Sequence, residues 1–411
     1  MGLYLKFHTK ARNIESFRMM VDRLAADSGY NVEHHEDSTT IVFCALGVLY
    51  LSYEKYRRWI CPSRVSVHGI CQTNLLGAGF HKAVVEFVDK LQQGNEEPLV
   101  VEDETGYFER RNFEEMRSRY FYKWLAVTFE AIQKNDTHGP WKVCWNPDSY
   151  IPIPPDSDVV ISPIGFFRFS TVLSRIENDG IESVAPDFFL WNNSEQDARF
   201  HRGLALHSLW IACYFSSSFR SEEDQRINGF IVKELEKAAT LDPSLPFPKQ
   251  VYKEICRLHG VSPIAVNHLL DYSCEFTIGY RRSDVCYHIG KLQFKIKGSY
   301  FKGDDGDSLV FYDGESENWH TIRCTAYIVQ DDFSYLNEEQ CTILKDGIFA
   351  NGIYRLFDMG FENDEGNPYL VFTCQVLSDS QFTLFTFCAQ DAEEMEHMVD
   401  SVISSLKSID L

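Results

Sequence analysis

The chain has 411 residues and carries 39 Lys and Arg against 60 Asp and Glu, a formal net charge of −21, with 44% hydrophobic and 14% aromatic residues. That length suits two or three domains, and the apolar content is ample for packed cores, which excludes wholesale disorder. So acidic a chain repels phosphate backbones, which excludes general nucleic-acid binding.

Residues 1–135 mix strands and helices. Leu3 to His8 reads as a strand, and Ile14, Phe17, Val21 and Leu24 then fall at helical spacing in a helix ending near Gly29. Thr40 to Leu46, Val48 to Tyr53 and Arg64 to Ile70 are β-rich. Phe80, Val84, Phe87, Val88 and Leu91 stripe a second helix, and a third runs from about Phe113 to Ile132. This order predicts an α+β domain, its helices packed on one face of an antiparallel sheet.

Between Pro140 and Pro163 stand six of the 14 prolines. Proline removes donors and extends its neighbours, so residues 136–163 are expected to form a semi-rigid connection anchored by Trp141 and Trp145. Residues 164–275 read as a small helical bundle, with helices expected at about Gly165 to Ile176, Phe200 to Tyr214, Glu223 to Thr240, Pro248 to Leu258 and Pro263 to Tyr272. Within it, LEKAATLDPSLPFPKQVYKEI resembles the second helix and exit turn of a tetratricopeptide repeat, with Ala238 and Pro243 in place of the small residue and terminal proline; a single repeat is discernible.

Residues 276–411 return to β structure. Leu292, Phe294 and Ile296 alternate with polar neighbours, and β-rich runs follow at Leu309 to Tyr312, Ile322 to Val329, Gly352 to Met359, Tyr369 to Leu377 and Phe382 to Cys388. A short helix is expected around Asn337 to Lys345, and a last one opens at Asp391 with Glu394 in capping-box position. The layout LQFKIKGSYF, HTIRCTAYIV, YLVFTCQVLSDSQFTLFTFCA and QDAEEMEHMVDSVISSLKSI resembles the PsbP-like α/β/α sandwich. That resemblance implies a binding scaffold and carries over no catalytic residue. The fold class expected is thus multidomain α+β: an antiparallel-sheet domain, a helical bundle, and an antiparallel meander with a closing helix.

Charge is uneven. Residues 1–135 hold 17 basic and 18 acidic side chains, residues 136–276 hold 12 and 19, and residues 277–411 hold 10 and 23. A basic partner would dock on the last region, where the net charge is −13.

Few motifs carry chemistry. The twelve cysteines include no Cys-x-x-Cys, and Cys44, Cys213, Cys374 and Cys388 sit in apolar runs where a thiol packs as a small hydrophobe in a reducing compartment. No secretory signal opens the sequence. The longest apolar run, Ile41 to Leu51, has 11 residues against the roughly 20 of a membrane helix. A cytoplasmic location, with no membrane partner, is expected. Gly77-Ala78-Gly79 lacks the lysine and hydroxyl of a phosphate loop and reads as a turn opening a helix. His34-His35-Glu36-Asp37 reads as a polar hairpin turn, and His201 and His207 fall on different faces of one helix. Asp304, Asp305 and Asp307 lack the spacing of a calcium loop. No metal site and no cofactor are expected.

One cluster stands out. Lys55, Arg57, Arg58 and Arg64 interleave with Tyr53, Tyr56 and Trp59, a composition suited to an anion or an acidic peptide; a solvated strand edge is the alternative. No GxSxG or caspase-like signature marks a nucleophile, so no catalytic residue is assigned. The reading that results is a non-enzymatic, cytoplasmic, bacterial interaction protein, with the neutralisation of a basic partner as its sharper form. The competing reading is an enzyme or small-molecule binder with a cleft between domains.

Overall fold

The computed structural model describes residues 2–55, 64–134, 139–145, 158–273, 275–314, 320–328, 342–364, 367–378 and 381–408. The protein is a multidomain α+β molecule. It divides into two compact units, Met1–Ser208 with Ile231–Tyr252 and Ile264–Ile278, and Leu209–Phe230 with Lys253–Pro263 and Gly279–Leu411.

The first unit opens with β1 (Tyr4–Ala11), α1 (Ile14–Ser28), β2 (Asn31–His34), β3 (Ser38–Cys44), β4 (Gly47–Lys55), β5 (Val65–Gln72), α2 (Ala78–Gly94) and β6 (Val100–Asp103). The strands form a six-stranded antiparallel sheet in the order β2-β3-β4-β5-β1-β6. Strict alternation along β1 buries Leu5, Phe7, Thr9 and Ala11 and leaves Lys6, His8 and Lys10 in solvent, the period-2 signature of a sheet covered on one face. From α1, Phe17, Val21 and Ala25 are buried. Phe43 of β3 meets Phe80 and Phe87 of α2 edge-on at 5.5 and 5.6 Å, a favoured aromatic geometry. Asn13 caps α1 by accepting from the Ser16 amide at 2.7 Å, and Gly29 closes it at φ 73. At Gly79 in the first turn of α2, a Cβ would run into the Asn193 carbonyl and the Trp191 indole, so only glycine lets the helix approach so closely.

Two four-residue turns, α3 (Tyr107–Arg110) and α4 (Phe113–Met116), lead through a π-helical stretch, Arg117–Tyr122, into α5 (Lys123–Lys134). The short strands β7 (Trp141–Lys142), β8 (Val159–Ser162) and β9 (Gly165–Arg168) form a small sheet. Trp145 is buried edge-on to His207 at 6.2 Å, and Trp141 packs on Phe169 at 4.8 Å. The helix expected from Gly165 begins only at Phe169, as α6 (Phe169–Asp179). The β-rich runs on either side of Pro163-Ile164 pair with each other first, Val159 opposite Arg168 and Ile161 opposite Phe166, and the Asp158 carboxylate then takes the Ser170 hydroxyl at 2.5 Å. The helices α7 (Ala185–Phe188), α8 (Ala198–Ile211), α9 (Glu222–Leu241) and α10 (Lys249–His259) follow. No helix forms over Pro263 to Tyr272. Phe247 donates its amide to the Leu270 carbonyl and accepts from the Tyr272 amide, both at 2.9 Å, which holds that segment extended.

In the second unit, β10 (Val285–Ile289) and β11 (Leu292–Ile296) pair in a small sheet with β19 (Lys407–Ser408). The strands β12 (Phe301–Asp305), β13 (Ser308–Tyr312), β14 (Thr321–Ile328), β15 (Thr342–Phe349), β16 (Gly352–Asp364), β17 (Asn367–Ser378) and β18 (Gln381–Ala389) form a seven-stranded antiparallel sheet in the order β12-β13-β14-β18-β17-β16-β15. Residues 342–345, expected at the end of a short helix, open β15 instead; residues 337–341 lie outside the described residues. The long β16 and the branched Thr and Ile residues of β15 favour the hairpin over a single helical turn. The closing helix α11 (Ala392–Ser405) is capped as its sequence predicts, the Asp391 carboxylate accepting from the Glu394 amide at 2.8 Å. Met395, Met398, Val399 and Val402 of α11 meet Phe294, Phe311, Phe385 and Phe387 in the core.

Arg220 locks this unit's earlier segment to its β strands. Its guanidinium grips both oxygens of the buried Asp224 at 2.6 and 3.0 Å, reaches Asp313 at 2.9 Å and the Ser299 carbonyl at 2.5 Å, and lies 4.2 Å over the Phe301 ring. The planar, five-donor head of arginine suits such a site where lysine would not.

Candidate functional site

The basic cluster singled out by composition is only partly described. Lys55 ends β4 opposite Val65, and Arg57, Arg58 and Trp59 lie outside the described residues. Arg64 forms an ion pair with Glu97 and lines a cavity of about 480 Å³ together with Lys10, Arg12, Ser16, Asn95 and Glu96. Tyr53 departs from the exposed cluster. Its ring is buried under the Arg18 guanidinium and its hydroxyl donates to Thr39 at 2.7 Å, so it belongs to the core. Three cations and two carboxylates line the cavity, and Arg64 is already neutralised.

The other titratable motifs resolve into local structure. His34 bonds Asp22 at 2.9 Å and Thr39 at 2.8 Å, and Arg18 donates to the carbonyls of His35, Glu36 and Ser38, closing the β2–β3 turn. His201 pairs with Glu234 at 2.5 Å, and His207 faces the Pro163 carbonyl at 2.9 Å, its pKa pushed down to about 4 by burial. Asp304 and Asp305 end β12, where Lys302 and Arg323 pair with them at 3.6 and 2.6 Å. Among the described residues, no three His, Cys, Asp or Glu side chains lie close enough to hold a metal ion. Burial pushes the thiols of Cys44, Cys213 and Cys374 up to about 12, the opposite of a reactive thiolate.

Two polar networks give no local sequence signal. The buried His81 on α2 contacts Thr73 through Nδ1 at 2.9 Å, and Thr105 and Asp103 through Nε2 at 3.1 and 3.2 Å. Thr73 donates its own proton to the Leu3 carbonyl and Thr105 donates to Asp103. Asp103 also accepts from the Thr105 and Phe108 amides at 2.8 and 2.7 Å. Burial raises its pKa, but the bonds from His81, Phe108 and Thr105 outweigh that and hold it well below the usual carboxylate range. In the second unit, Asn228 donates to the Ser218 hydroxyl at 3.1 Å, which hydrogen-bonds His259 Nδ1 at 2.8 Å. The pair resembles a nucleophile and base, but Ser218 is buried and the ring packs beside Gly229. It anchors the loop before α9 to α10.

The second unit leaves apolar side chains of β15 and β16 in solvent. Ile348 is 86% exposed and Phe361 75%, and Ile343, Leu344 and Ile353 also reach solvent. Between the β15–β16 hairpin and α11 runs a groove of about 700 Å³, with Phe349, Tyr354 and Ile403 in its lining and Asp284, His397 and Asp400 at its polar positions. Sequence reasoning placed the acid in this region. The uncovered apolar strand was concealed by the expectation of a helix at Lys345.

No family model matches the chain, and no curated protein matches it. Among solved structures, a crystal structure of a Bacteroides thetaiotaomicron VPI-5482 protein aligns at 12% identity with a TM-score of 0.23 over 29% of this chain, which spans 46% of that one. Among the described residues, no helix is long and apolar enough to cross a membrane.

Proposed function

We propose that this chain is a non-enzymatic bacterial interaction protein, acting in the cytoplasm, that binds and neutralises a basic protein partner through its acidic C-terminal domain. The observation that carries the reading is the coincidence, on one unit, of a −13 charge balance over residues 277–411 with uncovered apolar strand residues, foremost Ile348 and Phe361. Ile348 and Ile353 stand opposite each other on β15 and β16, and adjoining apolar side chains left in solvent mark an interaction surface, where the surrounding carboxylates steer and select a partner of opposite sign. The same reading takes residues 276–411 as a PsbP-like binding scaffold, supported by their antiparallel meander and closing helix.

The test is affinity capture with the full chain, followed by reconstitution with the purified partner at low and high salt. A basic partner whose affinity falls at least tenfold between 50 and 500 mM salt, as expected on the order of magnitude for charge-steered binding, supports the reading. An acidic partner, or affinity indifferent to salt, overturns it.

A further inference from the structure

Resting on that reading, we propose that the partner docks by adding an extended segment, alternating basic and apolar side chains, along the outer edge of β15. Among the described residues, β15 pairs on one side only, with β16, and ends the seven-stranded sheet. A bare strand edge is a template for another strand, and proteins ordinarily defend it with charges that repel a newcomer. Here that defence is cancelled from within. Lys345 pairs with Asp400 of α11 at 3.7 Å, and Asp346 pairs with Arg355 of β16 at 2.9 Å. Between those neutralised charges and the strand end stands Ile348, almost fully exposed.

The geometry limits the footprint. The ladder to β16 slips between Ile343 and Lys345, and such a bulge breaks the regular edge, so the segment available for pairing is Lys345 to Phe349. Successive side chains of an added strand point to opposite faces. One set would meet the groove beside α11, where Phe349 and Ile403 offer apolar contact and Asp284 offers charge beside the Lys345–Asp400 pair. The other would lie beside Ile348 on the outer face. Glu393 and Glu396 are exposed along α11, so basic side chains are favoured on the incoming strand. Strand addition draws affinity from main-chain hydrogen bonds and specificity from alternate side chains.

The test uses the full chain and three synthetic octapeptides: alternating lysine and valine, the same peptide N-methylated at every second residue, and alternating glutamate and valine. Binding is read by fluorescence anisotropy and the footprint by hydrogen exchange. The lysine–valine peptide is expected to bind and to slow exchange over residues 345–349 at least tenfold. N-methylation and Ile348→Lys should each weaken it at least tenfold, and the glutamate peptide should not bind; Ile348 is so exposed that the variant keeps the fold. Equal binding of the N-methylated peptide, or protection confined to other strands, overturns strand addition while leaving a basic partner in place. Failure of the lysine–valine peptide to bind at all overturns strand addition too, and a salt-sensitive basic partner captured by the full chain then separates that failure from the broader reading.

Discussion

Replacing Asp103 probes a buried carboxylate in the first unit. Its carboxylate accepts from His81, from the Thr105 hydroxyl and amide, and from the Phe108 amide, and it is 3% exposed beside a ring that is 0% exposed. Asp103→Ala leaves the imidazole, the Thr105 hydroxyl and two backbone amides without their acceptor. Removing one partner of a buried ion pair costs about 3–5 kcal/mol. For a cooperative unit of about 150–250 residues, each kcal/mol moves Tm by about 2–4 °C, so a fall of about 6–20 °C is expected. Asp103→Asn keeps the shape and some of the bonds and should fall between, near 1.5–3 kcal/mol, roughly the worth of a hydrogen bond to a charged group. The pH dependence has a definite sign. A carboxylate whose folded pKa lies below its unfolded value of about 3.9 stabilises fully above that value and loses its contribution as pH falls further. The gap between wild type and Asp103→Ala, measured by calorimetry, should therefore narrow as pH falls below about 4. A gap under about 1 kcal/mol at pH 7, well short of the buried-pair cost, or one that persists unchanged at pH 3, would refute the assignment.

Three further outcomes are expected. Arg220→Ala strands Asp224 and should cost about 3–5 kcal/mol in urea denaturation of the full chain, whereas Arg220→Lys keeps the charge but forfeits the bidentate grip and should cost less than the alanine change. Gly79→Ala, a change that ordinarily favours a helix, should instead destabilise by about 1–3 kcal/mol through overpacking against Trp191, as read by thermal melting. Thiol alkylation of the folded protein at pH 8, mapped by mass spectrometry, should spare Cys71, Cys144, Cys213 and Cys374, whose thiols burial holds protonated, and label them once the chain is unfolded.

The sequence made legible those features whose signal is local. Ile14, Phe17 and Val21 repeat at helical spacing and α1 follows; Asp391 and Glu394 stand three apart and cap α11. Where competition is non-local, the local signal misleads. Gly165 to Arg168 has the apolar content of a helix start, but its partner Val159 to Ser162 lies just across a proline turn and takes it into a sheet. Pro263 to Tyr272 loses its helix to Phe247, a residue outside the segment. The His81 network draws on Thr73, Asp103 and Thr105, which meet only after β5, α2 and β6 have assembled. The acid of the last region was visible in a simple count, whereas the edge that β15 leaves unpaired among the described residues depends on strand order, which no window of sequence reports.

The two units are interleaved along the chain: segments 209–230 and 253–263 belong with residues 279–411, while 231–252 and 264–278 belong with residues 1–208. On the ribosome this imposes a schedule. The first unit cannot close until residue 278 has emerged, and the Arg220 segment must wait for roughly another hundred residues of synthesis before its guanidinium, already paired with Asp224, can reach Asp313. A polypeptide cut at residue 278 would deprive the later unit of two of its segments, so neither activity nor stability can be partitioned by simple truncation.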